Sequence, residues 1–160
     1  KETIEERIYK SYHLLLSIAE KKASGTALTS SEQVEYNKFE NYYISKGIAN
    51  IDYCISNNDK LRTYILETKF NGTWPAKTIN GVDVYMQPYC DINSKPATNN
   101  VFVFGSTSVM NESSNKNWNA NYIYDYERKI WNTGNTIMIA NKSLEKIKSE
   151  MNSKGWTNAK

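Results

Sequence analysis

The feature that most constrains this fold is a change of period near Asn71. Before it, apolar residues recur at helical spacing; after it, they alternate or form short runs divided by turn signals. Helices first and strands later, with no βαβ alternation, predict an α+β domain whose second half forms an antiparallel sheet. At 160 residues a single domain has room for a real core. It is expected to comprise an N-terminal helix over 1–23, a helical connecting region over 29–70, a sheet region over 80–140 and a C-terminal helix over 142–153.

In the first helix, Ile4, Ile8, Tyr12, Leu15, Leu16 and Ala19 form one stripe. Glu2, Glu5 and Glu6 near its start and Lys21 and Lys22 near its end suit the helix dipole, and Gly25 supplies a stop. No capping signal precedes Lys1, so the helix reads as the continuation of a longer one. Thr29 and Glu32 have the spacing of a capping box. The next helix is expected over about 31–56, with Val34, Phe39, Tyr42 and Tyr43 inward. Gly47 interrupts it, and Ile44, Ile48, Ile51 and Ile55 carry the spacing on. Lys60–Phe70 reads as a further helix capped by Asp59, although YILETKF also has strand composition.

In the second half, NGTWP and Asn80-Gly81 are turn signals. Val82, Val84 and Met86 alternate with polar neighbours as in a strand. Pro88 and Pro96 are expected to bracket a loop holding Cys90, and VFVFG at 101–105 reads as a central strand. The polar tract from Ser106 to Asn121 reads as an exposed loop. Tyr122–Tyr124 and Lys129–Trp131 are the arms of a hairpin around Asp125–Arg128, and Gly134-Asn135 turn into a third strand, TIMIA. Leu144, Ile147, Lys148 and Met151 share one side of a last helix that stops at Gly155.

Signatures of catalysis are sparse. Phosphate-binding glycine loops, a zinc-protease motif and a nucleophile elbow do not occur. The single histidine, His13, sits mid-helix, and a carboxylate pair such as Asp83 with Asp91 is no more than ordinary solvated carboxylates offer for glycosidase work. No enzyme activity, cofactor or metal is therefore expected. Cys54 and Cys90 either close a disulfide worth about 4 kcal/mol in the chain-entropy model, as suits an extracellular protein, or remain buried thiols.

Net charge is +3 but uneven: residues 1–59 carry −2 and residues 60–160 carry +5. In the basic part, Lys116, Arg128 and Lys129 interleave with Trp118 and several tyrosines, and Lys142, Lys146, Lys148 and Lys154 follow on or near the last helix. Lysine and arginine beside aromatic platforms can hold nucleic acid, weakly and without base preference. Alternatively, the aromatics face the core and the lysines only solvate the surface.

The layout resembles the headgroup of a type IV pilin or pseudopilin. NYIYDYERKIW at 121–131 is similar to the late hairpin of Gram-positive pilins, and FNGTWPAKTING at 70–81 to the passage leading into their sheet. The helices at 31–56 and 142–153 depart from the simplest pilin and point to a minor pilin. The resemblance implies a fragment lacking an apolar N-terminal helix. That segment would anchor the precursor in the membrane and later pack against other pilin subunits. It further implies a cell-surface filament acting in adhesion or biofilm formation, and the uneven charge with the interleaved lysines and aromatics adds extracellular DNA as an expected partner. A secreted module for another anionic or carbohydrate ligand, or less readily a hydrolase, is the alternative.

Overall fold

A computed structural model describes residues 1–90, 101–106, 119–139 and 142–159, with the backbone alone at 89, 90, 101–104 and 106. The described helices are α1 (Ile4–Ser24), α2 (Ser30–Ser45), α3 (Ile51–Ile55), α4 (Asn58–Lys69) and α5 (Leu144–Ser153). The strands are β1 (Ala76–Ile79), β2 (Val82–Cys90), β3 (Val101–Ser106), β4 (Asn119–Asp125), β5 (Ile130–Met138) and β6 (Thr157–Asn158). All six pair antiparallel in chain order, so the sheet is a meander. The α+β class and the long N-terminal helix packed on the sheet are as expected. Among the described residues, no helix is long and apolar enough to cross a membrane.

Helix α1 has its own start, contrary to the expectation of an uncapped continuation. Thr3 Oγ1 accepts from Glu6 N and the Glu6 carboxylate accepts from Thr3 N, both at 3.0 Å. This capping box lies inside the chain, where a search upstream of Lys1 cannot see it. The box at Thr29 and Glu32 forms as expected. The helix over 31–56 is two helices. Gly47 takes a left-handed φ of 82°, Ile48 N bonds back to Tyr43 O at 3.0 Å, and α3 restarts on an Asn50 cap. Val34 and Ile44, each 54% exposed, face outward. The buried stripe of α2 runs instead through Glu32, Glu35, Tyr36, Phe39 and Tyr43. Its two carboxylates are buried because Lys21 meets Glu32 at 2.7 Å, while Tyr64 and Lys69 bond Glu35. The helix over 60–70 is present as α4, capped by Asn57 rather than Asp59.

Asn80 and Gly81, at φ 52° and 79°, make the two-residue hairpin that registers Ile79 opposite Val82. Strand β1 itself carries no clear alternation and was not foreseen. Strand β2 runs through Pro88 to Cys90, correcting the loop expected from Pro88 onward; residues 91–100 of that loop lie outside the described residues. The proline is tolerated for a geometric reason. Met86 N points away from β3 and bonds Pro75 O at 2.9 Å, and Pro88 has the same parity, where β1 no longer runs alongside. No ladder bond is lost. Its carbonyl accepts from Arg62 Nε at 2.8 Å, and Arg62 also donates to Gln87 Oε1. This guanidinium is 1% exposed and structural.

The sheet separates two cores. On one face α1 lays Ile8, Tyr12, Leu15 and Leu16 against Val84, Met86, Tyr122, Tyr124 and Trp131, with α2 to α4 completing the cluster. On the other face α5 covers Ala120, Ile123, Ile137 and Ile139 with Leu144, Ile147 and Met151. Serving both faces requires a slip. Tyr122 pairs with Thr133 but Ala120 with Ile137, so β5 takes in extra residues at 134–136. The turn expected at Gly134-Asn135 is thus a bulge inside one strand. It lets Trp131 face α1 and Ile137 face α5 despite equal parity.

Candidate functional site

Among the described residues, the expected DNA-binding residues fall into three groups. Lys116 and Trp118 lie outside the described residues. Lys129 belongs to the α1 side: its ammonium sits 4.1 Å from the centre of the Tyr126 ring, which stacks on Tyr9 at 3.8 Å. Lys142 pairs with Glu150 at 2.7 Å, and Lys146 and Lys154 lie within its electrostatic reach. The Lys142 hydrogen bond, with the charges of all three lysines, holds the Glu150 carboxyl below its usual range. Lys142, Lys146 and Lys154 therefore share a carboxylate that partly cancels them.

Arg128 and Lys148 do meet. Both border a cleft of about 430 Å³ between the sheet, α5 and the segment after it. Its position follows from local chemistry. At the β4–β5 turn, Asp125 accepts from Arg128 N at 3.2 Å and from Arg128 Nε at 2.7 Å, which fixes the turn and holds the guanidinium at the mouth. Glu127 stands beside it. Asn132, on the α5 face of β5, lines the floor, and Lys148, Met151 and Asn152 form the helical wall.

The remaining wall is built by the end of α5. Gly155 N bonds Asn152 O and Trp156 N bonds Met151 O at 3.0 Å, a Schellman closure. It swings Trp156 across the bulge, and β6 then ties the segment to β5 through Thr133 opposite Thr157. The indole lies flat on Gly134, where an added Cβ would fall 2.1 Å from the ring. Only a glycine at 134 admits this ring.

Two donors on this cleft have no acceptor among the described residues: Asn132 Nδ2 and Trp156 Nε1, both buried. A buried unsatisfied donor costs about 1–3 kcal/mol, so two beside one cleft call for an explanation. Asn132 and Trp156 were missed from sequence. The only available signal was an aromatic placed directly after the helix stop at Gly155.

The other candidates separate cleanly. Cys54 is a buried free thiol whose pKa burial pushes up, so it stays protonated and unreactive; the Cys90 side chain lies outside the described residues. His13 is half-buried beside Tyr9, with ring centres 5.2 Å apart. Asp83 accepts from Thr78 Oγ1 at 2.9 Å, and Asp91 lies outside the described residues. Compared with known proteins, the chain matches no family model and no curated protein.

Proposed function

We propose that this chain is the headgroup of a minor pilin, a non-enzymatic subunit of an extracellular type IV pilus-like filament. One observation carries the reading: a long N-terminal helix lies buried along one face of an antiparallel meander formed by the second half. On this reading an apolar helix precedes Lys1 in the precursor, anchors it in the membrane and then packs against neighbouring subunits. The role is adhesion or biofilm formation. Immunogold labelling with antibody raised to residues 1–160 should decorate surface filaments of the producing cell. Recovery of the chain only as a free secreted monomer would overturn the assignment.

A second reading, extracellular DNA as a ligand, is favoured by exposed Lys146 and Lys154 on and just after α5. Electrostatic capture predicts binding that weakens steeply with salt. Lys146→Glu with Lys154→Glu should weaken a gel shift and reduce its salt slope. Glu150→Gln should strengthen it, because the carboxylate among these lysines is removed. A shift indifferent to salt and to all three changes would exclude the idea.

A further inference from the structure

We infer that the cleft between β5, α5 and Trp156 is a binding site for a monoanionic, hydroxyl-rich ligand, specifically a carboxylate-bearing sugar. It lies on the face opposite α1 and does not depend on filament assembly. The volume, about 430 Å³, falls within the roughly 300–1,000 Å³ of small-molecule sites.

The charges decide what such a ligand must be. Arg128 and Lys148 bring two cations, and Asp125 and Glu127 bring two carboxylates, so the cleft is formally neutral. Asp125 is spent on Arg128, which binds it through Nε and the backbone N–H. Arg128 is otherwise exposed, leaving its terminal nitrogens to meet a ligand carboxylate in the planar, two-pronged geometry that guanidinium favours. Glu127 accepts but never donates, so it suits hydroxyl groups and repels a second negative charge. A polyphosphate strand is disfavoured by that carboxylate; a sugar with one acid group is not.

The floor makes the same demand from below. Asn132 is 6% exposed, and both its Nδ2 and Trp156 Nε1 are donors without an acceptor among the described residues. Hydroxyl and carboxylate oxygens of a sugar are the acceptors that these donors lack. With the Arg128 guanidinium at the mouth and neutral donors at the base, the acid group is expected outermost, on Arg128, and the ring hydroxyls innermost.

The test follows the indole N–H signals of the chain by NMR while D-glucuronate, N-acetylneuraminate or D-glucose is added. The Trp156 signal, assigned by its loss in Trp156→Phe, should move with both acidic sugars at about millimolar concentration and be indifferent to glucose. Trp156→Phe removes the donor but keeps an aromatic ring at the position that packs on Gly134, and the remaining spectrum serves as the folding control. It should weaken acidic-sugar binding about tenfold, as should Asn132→Asp, which turns a donor into an anion. Equal response to glucose, no response to either acid, or unchanged affinity in both variants would overturn the proposal. A short DNA duplex that moves the Trp156 signal at lower concentration than the sugars would overturn it too, making the cleft a phosphate site.

Discussion

The two faces of the sheet solve opposite problems. Under α1, most of the buried polar groups are answered within the fold, Trp74 Nε1 being an exception among the described residues. Glu5 accepts from Trp131 Nε1 at 2.9 Å and from Lys77 Nζ at 2.5 Å, Tyr43 donates to Lys60 O, and Tyr64 donates to Glu35. Under α5 the core is smaller, its helix is a single short segment, and donors are left facing a cleft. Buried polar groups answered across the fold supply stability, and what sets the α5 face apart is that its unanswered donors belong to residues lining a cleft.

Truncation should separate the faces most sharply. Leu16→Ala, in the α1 core, is expected to cost about 2–5 kcal/mol of global stability, measured by denaturant unfolding. Ile147→Ala removes an equally buried side chain, yet should act locally. Amide exchange is expected to show α5 and β6 opening while β2 to β4 stay protected. Loss of protection throughout the sheet would mean that the faces are one cooperative unit.

Gly134→Ala comes next. The methyl group cannot share space with the Trp156 ring, so the indole must leave the bulge, at about 1–3 kcal/mol. Its fluorescence should shift to the red, while the α1 face keeps its near-ultraviolet signature. A smaller effect is expected from pH. Burial opposes ionisation of Glu5, but hydrogen bonds from Lys77 and Trp131 outweigh it and lower its pKa below the ordinary 4.5. Ionised Glu5 thus contributes stability that is present above that value and fades as pH falls through the folded pKa. Glu5→Gln should flatten this acid limb, and an unaltered limb would place acid sensitivity elsewhere. The smallest change belongs to the exposed lysines: Lys146→Gln should leave unfolding within about 0.5 kcal/mol of wild type.

Much of the α1 face was legible in the sequence because it obeys simple periods. Ile8, Tyr12, Leu15 and Leu16 fall on one helical stripe, and Val84 and Met86 alternate; all are buried. The reading failed where polar groups are buried by partnership. Glu35 and Arg62 look like surface residues until Tyr64, Lys69, Gln87 and Pro88 are brought to them across the fold. It failed again where period is broken on purpose, since the bulge at 134–136 resembles a turn. The candidate site was half visible. Arg128 and Lys148 stand out by their charge, whereas Asn132 and Trp156 acquire meaning only when β6 and the end of α5 are in place.

Trp131 joins distant parts of the chain. Its side chain holds Glu5 at the start of α1, while its carbonyl accepts from Ala159 N at 2.8 Å. A tensile load entering near residue 5 and leaving near residue 159 therefore converges on one residue of β5. The two-residue strand β6 is the weakest link in that line, and it should peel away first. Mechanical extension would then open the wall of the cleft long before it disturbed the larger core, so a pull on this chain would be felt as release of whatever the cleft held.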